Sequence, residues 1–205
     1  MRKFNHWSAE YIFNRINFYL HQKAYPKDPW LTKNSISIIK SLIRESDNGL
    51  EIGSGKSTKW FLERSATLKS VEASRIWYDK ISEVCYEEIN SGRLTYILSS
   101  SDIEYKNLIK GLDDNSLDYC LIDGLFRDIC AAEILQKLKP GAVLIIDNIE
   151  RYIPCSHSKS PNARKDQDGA VNELWSAFLS ETKNWRYIWT TNGVNDTGIW
   201  IKTIS

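Results

Sequence analysis

The chain lacks a dominant charge: 27 lysines and arginines stand against 26 acidic residues, leaving +1 at neutral pH. No basic stripe forms, so a nucleic-acid partner is not expected. No run of 18 apolar residues occurs and the N-terminus has no apolar signal core, so neither a membrane span nor a secretory leader is expected. Cys85, Cys120, Cys130 and Cys155 show no metal-type spacing. Two of them fall within apolar patterns, and all four read as free thiols of a reducing, cytoplasmic setting. Aromatic residues, in contrast, are abundant. Eight tryptophans and ten tyrosines occur in 205 residues, gathered toward the two ends. The length suits one domain with a single sizeable core.

Apolar residues at 12, 13, 16, 19 and 20 predict a helix from its cap, Ser8, to Lys23. Two prolines follow, and Thr32 then caps a second helix running to about Ser46. These helices form an N-terminal extension, 1–46, ahead of a domain over 47–205. There, strands at 50–52, 67–72, 93–98, 117–122 and 142–147 alternate with helices at 57–64, 75–90, 102–110 and 126–138. The alternation predicts an α/β, doubly wound sheet, mostly parallel, with helices on both faces. Lys139-Pro140-Gly141 is expected to stop the helix before the apolar central strand. Residues 155–169 lack periodicity and read as a mobile polar loop, followed by a helix at 171–180. The runs 185–190 and 197–202 flank Asn192-Gly193 and predict an antiparallel hairpin that brings the sheet to seven strands.

In Gly49-Leu50-Glu51-Ile52-Gly53-Ser54-Gly55-Lys56-Ser57-Thr58, two glycines stand between a strand and a helix. Such glycines let the backbone turn tightly and approach a ligand. Glu72 follows 19 residues after Gly53, at the end of the next strand. An acid in that place accepts hydrogen bonds from a ribose in dinucleotide-type folds. Gly-Ser-Gly-Lys-Ser-Thr also invites a phosphate-loop reading, but that motif needs a glycine where Leu50 stands.

The E-x-G-x-G turn with a later acid resembles the first two motifs of class I S-adenosylmethionine-dependent methyltransferases, with Ser57 at the usual third glycine. Nicotinamide dehydrogenases share the general layout. The resemblance implies a Rossmann-like domain and S-adenosylmethionine as cofactor. Glu51, Gly53 and Gly55 would hold its methionine part and Glu72 its ribose. Ligands of open parallel sheets lie outside the strand carboxyl ends, which adds Ser54, Ala73, Ser101, Asp102 and Asp123 to the expected contacts. Asp102 can equally cap the helix after it.

Asp123, Asp147 and Asn148 end two neighbouring strands with hard oxygen donors suited to Mg²⁺ or Ca²⁺. They resemble the metal site of the catechol and caffeoyl-coenzyme-A O-methyltransferases, in which the ion orients a vicinal diol. Phe126 stands where those enzymes carry a lysine base, and Arg127 beside it stays protonated. The alternative is that Asp123 holds the methionine amine and Asp147-Asn148 floors the pocket. Methyl transfer needs alignment and one base, for which Asp123 and His157 are the candidates. The expected reaction is O-methylation of a small molecule. A phosphate-loop kinase or NTPase and a non-catalytic interaction module are the competing readings. The aromatic N-terminal residues (Trp7, Tyr11, Phe13, Phe18, Tyr19, Tyr25, Trp30) offer a lid, a homodimer contact or packing for the sheet's outer face. They lack the basic face of a membrane-surface helix.

Overall fold

Side-chain caps start both N-terminal helices at the expected residues. In a computed structural model that describes residues 8–204, Ser8 accepts from the Tyr11 N–H and opens α1 (Ala9–Ala24). Thr32 accepts from the Ser35 N–H and opens α2 (Lys33–Leu42). Trp7 lies outside the described residues. The chain continues through β1 (Asn48–Ile52), α3 (Lys56–Leu62), β2 (Thr67–Glu72), α4 (Arg75–Val84), α5 (Tyr86–Asn90), β3 (Leu94–Leu98) and α6 (Asp102–Lys110). It ends with β4 (Leu117–Ile122), α7 (Arg127–Ile134), β5 (Leu138–Asp147), α8 (Glu173–Glu181), β6 (Arg186–Thr191) and β7 (Asp196–Ile201).

The seven strands lie in the order β3-β2-β1-β4-β5-β7-β6, and β7 alone runs antiparallel to its neighbours. This is the doubly wound, mostly parallel sheet with a closing hairpin that the sequence predicts. Strand alternation divides its core in two. Leu50, Ile52, Cys120, Ile122, Leu144 and Ile146 face α6, α7 and α8, meeting Tyr105, Ile109, Ile134, Trp175 and Phe178. Tyr119, Leu121, Val143 and Ile145 face α2, α3 and α4, meeting Ile36, Ile39, Phe61 and Ile81. All four cysteines are free thiols.

Four expectations need correction. The helix expected at 75–90 is two, α4 and α5, broken at buried Cys85. Lys139-Pro140-Gly141 does not stop a helix: α7 has already ended, and the tripeptide lies inside β5. Gly141, at φ +82°, and the register shift between Leu117 and Tyr119 absorb it as a bulge. The segment 155–169 is fastened rather than loose. Arg164 donates its N–H to the Glu150 carbonyl and its Nε to the Gly169 carbonyl at 2.7 Å, while the Ser160 hydroxyl reaches the Val194 carbonyl at 2.9 Å. A polar loop can be held by satisfying its own donors and acceptors. Finally, α1 does not pack on the outer face of the sheet, for it contains no buried residue.

Candidate active site

The strand order reverses between β1 and β4, and open α/β sheets bind ligands at that point. Here the turns after the two strands stack backbone on backbone. Gly53, at φ +92°, donates its N–H to the Val71 carbonyl at 2.8 Å. A β-carbon on it would lie 2.6 Å from the Gly124 nitrogen. Gly55 is different, since a β-carbon there meets nothing within 4 Å.

Beside this junction lies a cavity of about 620 Å³. Its wall includes Gly53, Ser54, Gly55, Glu72, Ala73 and Asp123, all expected from the sequence, together with Trp30, Trp77, Ser100, Tyr105 and Arg127. Ser101 and Asp102 are not part of the wall. Asp102 is exposed at the first turn of α6, and Ser100 lines the cavity in their stead.

Glu72 is buried and already works on the turn. Its Oε2 accepts from the Ser54 N–H at 2.9 Å and the Ser54 hydroxyl at 2.8 Å, and its Oε1 accepts from the Ser74 N–H at 2.7 Å. A carboxylate offers about four acceptor sites, so Oε1 keeps capacity for one more donor from the cavity. Tyr96, stacked on Tyr78, holds the Ser54 hydroxyl from the other side at 2.6 Å.

Glu51 does not line the cavity. Alternation along β1 turns it into the α2–α4 layer, where its Oε2 accepts from the hydroxyls of Thr58 at 2.7 Å and Ser70 at 2.6 Å. Thr58 in turn accepts from the Gly55 N–H at 3.0 Å. Glu51 thus braces the glycine turn from beneath. Burial lifts its carboxyl from 4.5 to about 7, partly opposed by hydroxyl hydrogen bonds. A raised folded-state pKa favours the protonated form, so its contribution to stability is full below about pH 4.5 and is lost as pH rises through 7. Wild type should therefore lose about 3 kcal/mol relative to Glu51→Gln between pH 5 and pH 8. Denaturant titrations at the two pH values measure this, and parallel pH profiles for the two proteins would contradict it.

The ends of β4 and β5 are joined by Arg127, which the sequence places only as a neighbour of Phe126. Its Nη2 donates to the Asp123 carboxylate at 2.8 Å and to the Asp123 carbonyl at 2.9 Å. Its Nε reaches the Gly124 carbonyl at 3.0 Å, and its Nη1 reaches the Asp147 carbonyl. Asp147 is buried and accepts from the Thr197 hydroxyl at 2.7 Å and from the Asn148 side-chain amide at 2.9 Å. Burial raises the pKa of both Asp123 and Asp147. Arg127 opposes the shift at each, and the charge of Asp123 adds to it at Asp147.

Asp123 and Trp30 also border a second cavity, of about 330 Å³, completed by Phe18, Gln22, Asp147, Asn148 and Asn195. Trp30 is held there because Thr32 donates its N–H to the Thr197 hydroxyl and lies 2.5 Å, hydroxyl to hydroxyl, from Thr190. His157 stands elsewhere. It lines a third cavity with Asp166, Lys183 and Trp189 that, among the described residues, shares no wall residue with the other two, so a base role for it is not supported.

No protein-family model and no curated protein matches this chain. Its structure is similar to that of a candidate caffeoyl-CoA O-methyltransferase from Staphylococcus aureus (17% identity, 93% of this chain and 99% of that one, TM-score 0.61). It is also similar to an O-methyltransferase from Bacillus cereus in complex with S-adenosylhomocysteine (16% identity, 93% and 91%, TM-score 0.58). A third similar structure is spermidine synthase from Thermotoga maritima (14% identity, 81% and 56%, TM-score 0.52), so the fold alone does not select the group transferred. The chain has the Rossmann-like fold of the S-adenosylmethionine-dependent methyltransferases, with the cavity walled by Gly53, Glu72 and Asp123 at the switch point of the sheet.

Proposed function

We propose that this protein transfers a methyl group from S-adenosylmethionine to an oxygen of a small molecule. The observation that carries this reading is that Asp123 and Trp30 belong to two adjoining cavities. One is large enough for an adenosyl cofactor and the other for a modest acceptor, so their contents meet at Asp123. The larger cavity fits the cofactor chemically. Glu72 has an acceptor site for a ribose hydroxyl, Gly53, Ser54 and Gly55 border the methionine end, and Asp123 provides negative charge for a cationic ligand. A triphosphate fits poorly, because Glu72 already occupies the Ser54 N–H and Lys56 lies over the Trp30 ring at 5.7 Å.

S-adenosylmethionine supplies an activated methyl group. The protein has to align the acceptor, exclude water and receive one proton. Asp123 is the candidate base, its raised pKa making it a better proton acceptor than a free carboxylate. Asp147, Asn148, Asn195 and Gln22 offer hydrogen bonds to a hydroxylated acceptor, against the apolar faces of Phe18 and Trp30. Among the described residues no lysine or arginine borders this second cavity, so acceptors bearing phosphate or carboxylate fit badly.

The donor set does not suit Mg²⁺ or Ca²⁺. Among the described residues no group of three His, Cys, Asp or Glu side chains could hold a metal ion. Of the expected donors, Oδ1 of Asp123 is held by the Arg127 guanidinium at 2.8 Å, and the two oxygens of Asp147 are held by the Thr197 hydroxyl and the Asn148 amide. Among the described residues, no helix is long and apolar enough to cross a membrane. Four free thiols suit the reducing cytoplasm to which we assign the protein.

Calorimetry against S-adenosylhomocysteine, NAD⁺ and Mg-ATP tests the cofactor. S-adenosylhomocysteine should bind at micromolar affinity or better, and binding of ATP alone would restore the phosphate-loop reading. Once an acceptor is found, Asp123→Asn should lower kcat at saturating cofactor by roughly 10²–10⁴. Excess chelator should leave the rate unchanged, and a loss restored by Mg²⁺ would overturn the metal-free site.

A further inference from the structure

The helix α1 is amphipathic, and its apolar face points away from the protein. Asn14, which lies against Gly193, and Phe18 and Gln22, which border the acceptor cavity, face inward. His21, 3.9 Å from Asp28, is on the same side. On the rest of the helix surface stand Ile12, Phe13, Ile16, Tyr19 and Leu20, exposed by 44%, 63%, 52%, 56% and 55%, of which Ile12, Ile16 and Tyr19 border an open cavity of about 510 Å³ that reaches round to Phe18 and Gln22. A contiguous apolar stripe of this kind on a soluble protein marks an interaction surface.

We propose that this stripe is the contact for a second copy of the same chain, the two α1 helices packing antiparallel across a two-fold axis. Three observations favour that occupant. The stripe recurs at 12/13, 16 and 19/20, the spacing that lets one helix seat against another at a shallow angle. The first turn carries Glu10 and the last turn His21 and Lys23. Antiparallel pairing therefore sets the acidic end of each helix beside the basic end of its partner and opposes the two helix dipoles. Covering five half-exposed side chains of this size removes on the order of 500 Å² from each copy, so the pair reaches the roughly 1,000 Å² that a specific interface needs. A lipid surface is the weaker occupant, since Arg15 and Lys23 are the only lysine or arginine side chains on α1. The pairing would hold Phe18 and Gln22 in place over the acceptor cavity from behind. The dimer itself does not depend on the methyl-transfer reading.

Sedimentation equilibrium of the full chain across the micromolar range tests the proposal without any cofactor. Wild type is expected to be a dimer. Ile16→Glu, at the centre of the stripe, should raise the dimer dissociation constant by roughly 100-fold or more. Its thermal melting as a monomer should be unchanged, because Ile16 is half exposed in the single chain. Ile16→Cys should form a covalent dimer on mild oxidation, since the central residue of an antiparallel pair meets its own copy, whereas Asn17→Cys on the flank should do so far less. A wild-type chain that stays monomeric throughout would overturn the proposal. So would a dimer indifferent to Ile16→Glu, or a monomer that co-sediments with phosphatidylserine vesicles.

Discussion

Glu72→Ala is expected to weaken S-adenosylhomocysteine binding by about 2–4 kcal/mol, roughly 30- to 1,000-fold. The effect has two sources. Removing the carboxylate deletes the free acceptor site on Oε1 that faces the cavity. It also leaves the Ser54 and Ser74 N–H groups without their partner and the Ser54 hydroxyl held by Tyr96 alone, so the turn that borders the cofactor loses its brace. Hydrogen bonds to a charged group are worth about 1.5–3 kcal/mol each, which is why the loss should exceed that of one neutral contact. Glu72→Gln keeps one acceptor oxygen and should fall between the two. Calorimetry of both variants, with circular dichroism to check folding, decides the matter. A folded Glu72→Ala protein with wild-type affinity would remove Glu72 from the cofactor site.

Gly53→Ala should cost about 4 kcal/mol of stability, and Gly55→Ala less than about 0.5 kcal/mol. In the sequence the two glycines look equivalent. In the structure a side chain on Gly53 would press on the backbone of Asp123 and Gly124 at 2.6–2.8 Å, at a φ that alanine adopts only under strain. Backbone on both sides leaves nothing able to rotate aside. Gly55 has extended backbone, φ 171°, and open space. For a chain of this size the Gly53 variant should melt about 8–16 °C lower. Equal melting temperatures for the two variants would mean that the stacked turns do not form.

The periodicity of the chain was enough for the layer architecture, because an alternating strand and an amphipathic helix each advertise locally which face is buried. Residues 67–72, 102–110 and 117–122 are placed as the pattern predicts. The Lys139-Pro140-Gly141 stretch was misleading for the same reason. Proline and glycine punctuate a chain wherever they occur, and only the pairing of Leu138 with Leu117 makes this stretch a bulge inside β5.

The site divides along similar lines. Gly53, Glu72 and Asp123 could be found in the sequence because each is the residue, or nearly so, at which a strand ends. Whether such a residue faces a ligand depends on the side toward which its strand sends it. Glu51 and Glu72 are both acids near strand ends, yet Glu51 is directed into the α2–α4 layer and Glu72 into the turn. Arg127 carried no motif, since its role is to join Asp123 and Gly124, just before it in the chain, to the Asp147 carbonyl, which only the pairing of β4 with β5 brings near. Trp30 reaches the site through hydroxyl contacts of Thr32 with the far hairpin. The apolar stripe of α1 was legible in the sequence, but not the direction in which it points. Local chemistry is written along the chain and was determined there: the elements, their buried faces, the glycine turn and the acid that follows it. The convergence of Asp123, Arg127 and Asp147, the inward turn of Glu51 and the outward face of α1 were decided only by tertiary structure, because each depends on which distant segments the fold makes neighbours.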